Sequence, residues 1–282
     1  MATVSFVVHP EHPDAAPLAA RTGEWLAARG HVVAPVTGDA TDGGGAGPGL
    51  DAAVDLAVSL GGDGTMLRTI AMASAHATLV LGVNLGRLGY LTEVEPAGLE
   101  RALERFLADD YAVEERMTLD VAVARGGAAA SPGTGRVVLN EAAVEKTMPG
   151  HTVRVAASIG GRPFVTYAAD GLLVATPTGS TAYNLSVRGP ILSPGLRAIV
   201  LTPVSPHMLF DRPLVLEPEQ WVRLEFVGPR PAVLALDGQS AGTLEPGDAV
   251  VCRACAAPAR LVTFGRRDFF SILRGRFHLA GR

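Results

Sequence analysis

Apolar residues follow two regimes along the chain. In the first part, short solid apolar runs alternate with stretches whose apolar residues recur at helical spacing. Residues 4–8 read as a buried strand, 31–36, 53–60 and 78–83 as further strands, and 14–29, 66–74 and 99–109 as helices. The first helix offers Leu18, Ala19, Trp25 and Leu26 to a core and is stopped by Gly30. Strands alternating with helices imply a parallel sheet with helices on its faces. After residue 115 the helical spacing fades. Short apolar or alternating runs recur at 118–124, 136–139, 152–159, 163–167, 171–175, 198–202, 222–227 and 233–236. Gly126-Gly127, Ser131-Pro132-Gly133, Gly160-Gly161 and Gly228-Pro229 punctuate them. This pattern predicts a β-rich second domain. The boundaries that follow are 1–115 for the α/β domain and 116–259 for the β-rich one. The tail at 260–282 is expected to pack back on the first domain. Residues 38–49 read as a Gly-rich loop, and no internal repeat is present.

Composition narrows this picture. With 282 residues, 48% of them hydrophobic, the chain can build one large or two modest cores without disulfides. A formal charge of −4 with no basic stripe argues against nucleic acid as a partner. No apolar stretch is long enough for a spanning helix, and the N-terminus lacks a basic leader. Two cysteines in all argue for a reducing compartment, so the expectation is a soluble, cytoplasmic protein away from membranes. Cys252 and Cys255 form a lone CxxC. They are a redox pair, half of a zinc site, or two ordinary thiols. Structural zinc needs about four ligands, which favours the last reading.

The chemistry concentrates at the loops. Gly61-Gly62-Asp63-Gly64-Thr65 follows a strand and opens a helix. Such a turn lets backbone N–H groups approach a phosphate, and the helix terminus adds partial positive charge. A carboxylate there repels phosphate. Asp63 therefore takes a proton from an attacking hydroxyl, holds Mg²⁺ against phosphates, or merely caps the helix. The Walker-type P-loop is absent, since Lys146 is the only lysine and stands elsewhere, and no GxGxxG occurs. A second cluster, Asn84 to Thr92 (NLGRLGYLT), also follows a strand. Ligands of open parallel sheets bind beyond the carboxyl ends of strands, so both loops can serve one cleft. Tyr90 either lines a purine or ribose pocket or packs ordinarily. A third cluster is Asp170-Gly171 with 175–183 (ATPTGSTAY), a tight turn rich in hydroxyls, read as a polar-ligand site or a capped solvent loop. Asn140-Glu141 is expected to end a strand. Like Asp237-Gly238-Gln239, it carries little weight alone.

Taken in order, GGDGTML, NLGRLGYLTE, NE, DGLLVATPTGSTAY, RGPILSP, PHMLFDRPLV and LDGQ resemble the motif series of the NAD kinase family, ATP- or polyphosphate-dependent enzymes. The resemblance implies a Rossmann-like or flavodoxin-like parallel α/β domain followed by a β-sandwich-like domain. It also implies transfer of a phosphoryl group from ATP, or polyphosphate, to the adenosine 2′-hydroxyl of NAD. Asp63 would be the catalytic acid–base residue, and Gly61, Gly62, Gly64 and Thr65 the phosphate-binding turn. Tyr90, Asn140, Glu141, Asp170, Thr181, Ala182, Tyr183, Ser186 and Asp237 would bind NAD. Mg²⁺ or another divalent metal would be carried on the phosphates, with Asp63 as its one candidate protein ligand. A homodimer or homotetramer is implied. GGDGT alone is shared with phosphofructokinases and lipid kinases, so a kinase of the same superfamily with another nucleoside, sugar or lipid acceptor is the alternative. Two positions depart from the family pattern: Arg188 stands where a Gly is usual, and Ala168 where a long basic residue is common. A small residue at 168 resembles enzymes that accept NADH or polyphosphate.

Overall fold

The structure is a computed structural model that describes residues 1–35, 49–51, 53–86, 89–128, 133, 135–265 and 268–278. The loop read at 38–49 falls outside these residues except for Gly49, as do Arg87, Leu88, Ser131 and Pro132. In chain order the elements are β1 (Thr3–Val8), α1 (Ala15–Ala27), β2 (Val32–Ala34), β3 (Leu56–Gly61), α2 (Asp63–Ala73), β4 (Leu79–Asn84), α3 (Leu99–Leu107) and β5 (Ala112–Arg116). There follow β6 (Leu119–Ala124), β7 (Arg136–Val138), β8 (Glu141–Lys146), β9 (Val153–Ile159), β10 (Arg162–Ala169), β11 (Gly171–Ala175) and the short α4 (Tyr183–Ser186). The chain continues through β12 (Ile199–Val204), β13 (Leu214–Leu216), β14 (Trp221–Phe226), β15 (Ala232–Leu236), β16 (Gln239–Leu244) and β17 (Ala249–Ala254). It ends with β18 (Ala259–Thr263) and α5 (Phe269–Arg276).

Two compact units result. Of the described residues, the first holds those up to Glu115 and from Ala259 onward, and the second Arg116–Pro258. The first is a six-stranded sheet in the order β2-β1-β3-β4-β18-β5. β1 pairs in parallel with β2 and β3, β3 with β4, and β4 with β18. β3 (LAVSLG) is buried at every position, as a parallel strand covered on both faces must be. The helices cover it with stripes of the right period. α3 buries Leu99, Ala102, Leu103 and Phe106, the i, i+3, i+4, i+7 set. α1 buries Ala15, Leu18, Thr22 and Leu26; Ala19 and Trp25 are partly buried and pack against the same core, and the Arg29 guanidinium lies 4.0 Å over the Trp25 ring.

The second unit is two six-stranded antiparallel sheets, β10-β9-β14-β17-β6-β7 and β13-β12-β11-β8-β15-β16. One apolar cluster takes residues from both. Leu119, Val155, Leu224 and Val250 come from the first sheet, and Val144, Val174, Leu201 and Leu234 from the second. This is the α/β plus β-sandwich class expected from the sequence. Cys252 lies inside this apolar cluster, and burial pushes its thiol up to about 12, so it is inert as a nucleophile.

Three local readings are corrected. The second helix starts at Asp63, three residues before Met66, because the Gly turn is itself its first turn. Asp63 is consequently not the cap: Gly62 holds that position, and no side-chain cap bond exists. Asn140-Glu141 does not end a strand; β7 stops at Val138 and Glu141 opens β8.

Candidate functional site

The first unit concentrates polar groups at the carboxyl ends of β1, β3 and β4. The Gly61–Thr65 turn leaves β3 directly into α2, so N–H groups of the first helical turn lie free of intrahelical partners. Thr65 is buried, and a Cβ on Gly61 would strike its hydroxyl at 2.3 Å. Gly62 and Gly64 have open space around them. Asp63 is held by the loop after β4. The Tyr90 N–H donates to one carboxylate oxygen and the Leu91 N–H to the other, each at 3.0 Å. Gly89 is required at this approach, because a Cβ there would lie 2.2 Å from Asp63 Oδ1. An ionised carboxylate has roughly four acceptor sites. Two are engaged here, which fixes the direction of the group and leaves acceptor capacity for a substrate hydroxyl.

Tyr90 carries more than a backbone bond. Its phenol oxygen is buried without a hydrogen-bond partner among the described residues, and the guanidinium of Arg276 on α5 lies 4.6 Å over its ring. Burial raises the phenol's pKa, and the Asp63 charge adds to the rise while Arg276 opposes it. Both Gly-rich loops named from the sequence therefore meet through Asp63.

The second unit gathers the other predicted residues on β8, β11 and the turn after β11. Asp237 occupies a left-handed position (φ +49°) in the β15–β16 hairpin, a conformation suited to an Asp-Gly pair. Its carboxylate accepts the N–H groups of Leu139 at 2.9 Å, Asn140 at 2.7 Å and Glu141 at 3.2 Å. Asp237 thus shapes the Asn140 loop, with its acceptor capacity largely turned inward. The Thr176 N–H donates to the Asn140 carbonyl at 2.9 Å. Gly179 presses against the same carbonyl, where a Cβ would come within 2.0 Å. Thr181 Oγ1 donates back to the Thr178 carbonyl at 3.2 Å, closing the turn that presents Ala182 and Tyr183.

Tyr183 spans β8. Its phenol donates to Glu145 Oε1 at 2.6 Å. Glu141, Ala143 and Glu145 share one strand face, and Tyr183 packs on Ala143. Burial raises the Tyr183 phenol's pKa, reinforced by Glu145, Asp170 and Glu141. Asp170 pairs with Lys146 at 2.7 Å. Glu141 is 5% exposed, and its Oε2 has no hydrogen-bond partner among the described residues. Burial first, then the Asp237 charge, push it up to about 8, against the lowering effect of the Tyr183 N–H. Asp237 is raised by burial as well but accepts three N–H groups, so Glu141 is the member of this pair that keeps a proton at neutral pH. Ser186 ends α4 and is exposed. Arg188 is exposed and sits at φ +63°, the backbone region a Gly adopts freely.

Chemically the two groups differ. A rigid backbone turn around one carboxylate suits a polyphosphate. Hydroxyls, amides and acids around a tyrosine suit ribose hydroxyls and a cationic ring, and repel phosphate. Among the described residues no three His, Cys, Asp or Glu side chains gather as a metal cluster. A hard cation held chiefly by phosphate oxygens needs only one or two carboxylates, and Asp63 is such a group in the turn. Glu145 and Lys146 were not singled out from sequence as site residues. The period-2 register from Glu141 was the signal for Glu145; Lys146 is found only through the Gly171↔Glu145 pairing that brings β8 beside Asp170.

Residues 45–111 match the ATP-NAD kinase N-terminal domain and residues 139–264 the ATP-NAD kinase C-terminal domain. The NAD kinase of Heliobacterium modesticaldum is 44% identical over 279 residues, covering 97% of this chain and 98% of the relative. That of Syntrophotalea carbinolica is 39% identical over 273 residues, 93% of each. The chain superimposes on an NAD kinase from Archaeoglobus fulgidus in complex with ATP with a TM-score of 0.72 at 25% identity, covering 99% of each chain. Yeast NADH kinase complexed with NADH shares the fold, with a TM-score of 0.85 at 23% identity over 100% of this chain and 89% of that one.

Proposed function

The chain belongs to the NAD kinase family, and on that premise we propose that it phosphorylates the adenosine 2′-hydroxyl of NAD to give NADP, with ATP as donor. The observation that carries the catalytic assignment is Asp63: a carboxylate in a phosphate-binding turn, aimed by two backbone N–H groups. A pure binding turn gains nothing from an acid among phosphates. Asp63 orients the 2′-hydroxyl and accepts its proton as the oxygen attacks the terminal phosphorus and the bond to the leaving diphosphate breaks. The backbone at 61–65 and the start of α2 stabilise the transferring group, so the protein contributes position and charge. A divalent metal such as Mg²⁺, held by the phosphates, would neutralise charge on the donor oxygens when bound, with Asp63 the candidate protein ligand in the turn.

In this reading residues 1–115 with the tail at 260–282 bind the donor, and residues 116–259 bind NAD. Asn140, Glu141, Asp170, Thr181, Ala182, Tyr183 and Ser186 contact NAD, with Asp237 shaping the loop that carries Asn140. Tyr90 contributes an aromatic ring to NAD binding. Ala168 favours acceptance of NADH and polyphosphate alongside NAD and ATP. The working protein is a cytoplasmic homodimer or homotetramer; no helix among the described residues is long and apolar enough to cross a membrane.

The test is direct. Wild-type protein with NAD, ATP and Mg²⁺ forms NADP, read with an NADP-specific dehydrogenase. Asp63→Asn loses at least ~10²-fold in turnover, the usual scale of general-base catalysis, with a smaller change in NAD affinity. Near-normal turnover in that variant removes Asp63 from the role. No NADP with ATP or with polyphosphate refutes the acceptor and moves the assignment to another alcohol.

A further inference from the structure

The parallel sheet reverses direction at β1: β2 lies on one side of it and β3 on the other. The crevice beyond the carboxyl ends of β1 and β3 is therefore the topological switch point, where ligands of open α/β sheets bind. One wall is the Gly61–Thr65 turn. The other is the loop between β1 and α1. That loop is tied into the site. The His9 N–H donates to the Leu60 carbonyl at 2.9 Å, and a Cβ on Gly61 would lie 3.2 Å from His9 Cβ. His12 Nε2 donates to the Leu85 carbonyl at 2.9 Å while its Nδ1 accepts the Asp14 N–H at 3.3 Å. The Leu85 N–H in turn bonds the Gly61 carbonyl at 3.1 Å. Three loops, after β1, β3 and β4, are thus laced together at the carboxyl end of the sheet.

Within that lacing His9 differs from His12. His12 uses both ring nitrogens inside the protein. His9 Nδ1 accepts the Glu11 N–H at 3.2 Å, which puts the ring proton on Nε2, and Nε2 makes no hydrogen bond among the described residues. His9 is only half-buried, so this N–H is open to a ligand. We propose that His9 is a donor-phosphate ligand, its Nε2–H bonding an oxygen of the triphosphate seated on the Gly61–Thr65 turn. This rests on the reading of that turn as the donor site. His12 is the positioning residue that holds the β1 loop against the Leu85 backbone.

Two substitutions isolate the donor group. His9→Asn keeps a carbonyl near the Nδ1 position for the Glu11 N–H but removes the Nε2–H; His9→Gln places an amide N–H near Nε2. Calorimetric titration of the full chain with MgATP, with tripolyphosphate and with NAD reads the effect independently of turnover. The expected result is a Kd for MgATP and for tripolyphosphate roughly tenfold weaker in His9→Asn, the scale of a hydrogen bond to a charged group. His9→Gln recovers most of the loss, and NAD affinity and the melting temperature stay as in wild type. Unchanged donor affinity in His9→Asn overturns the proposal. So does an equal loss in both variants accompanied by a fall in melting temperature, which is a structural role, and so does a wild type that binds neither phosphate probe. If wild-type protein binds MgATP but forms no NADP, the assigned reaction fails while the titrations still decide the role of His9.

Discussion

Glu141 shows how far one residue's meaning depends on its surroundings. In the sequence it is half of an unremarkable Asn-Glu pair. In the fold it is buried between Asp237 and Tyr183, with one carboxylate oxygen lacking a hydrogen-bond partner among the described residues and its pKa raised to about 8. The sign of the linkage follows. Its folded pKa lies above the unfolded carboxylate value, so the folded chain binds the extra proton between the two. That contribution to stability is complete below the unfolded pKa and is lost as pH rises through about 8. Melting temperatures taken across this window should fall with pH in wild type, and the fall should be shallower in Glu141→Gln. Equal slopes would show that Glu141 is already ionised at neutral pH. Arg188 illustrates the opposite case. Its left-handed backbone was unreadable except through comparison with a Gly pattern, and nothing in the structure shows what its exposed guanidinium contacts.

At the scale of elements, helices and strands were legible to different degrees. α3 declared itself through its four-residue apolar stripe. β8 (EAAVEK) did not, because Glu141 and Glu145 sit on the face that meets Tyr183, so charges fall where an apolar run would have marked a strand. The turn between β15 and β16 shows what such an element does. Asp237 gathers three consecutive N–H groups and so sets the path of the chain from Leu139 to Glu141. Asp237→Asn tolerates the left-handed backbone but places an amide N–H against those donors. The expected cost is about 1–3 kcal/mol of stability, with a raised KM for NAD and a largely preserved kcat. A kcat loss with unchanged KM would instead place Asp237 among the reacting groups. Denaturant unfolding and steady-state kinetics together read both.

At the scale of the whole molecule, the two units carry opposite chemistry. The first offers backbone donors at strand ends and a helix start, while the second surrounds Tyr183 with Glu141, Glu145 and Asp170. Under the function proposed above, the first group suits the triphosphate and the second supplies acceptors for ribose hydroxyls. Amide hydrogen exchange should separate them. Saturating MgATP is expected to slow exchange over 61–70, and NAD over 139–146 and 179–186. Protection of 179–186 by MgATP alone would contradict this division.

The class of the fold was determined by local pattern alone. A change from helical spacing with solid strands to short alternating runs reports burial on two faces or on one, and that is a property of neighbouring residues. The motif order likewise named Asp63 and its turn, because tight Gly-rich geometry is written within five residues. What the sequence left undecided were roles that depend on partners far along the chain. Asp63 is aimed by residues of the loop after β4, Asn140 and Glu141 are held by Asp237 nearly a hundred positions away, and His9 meets Gly61 through strand pairing. Such contacts are set by sheet register and by which loops share an end of the sheet. Those are products of the whole core's packing, and no local run of residues encodes them.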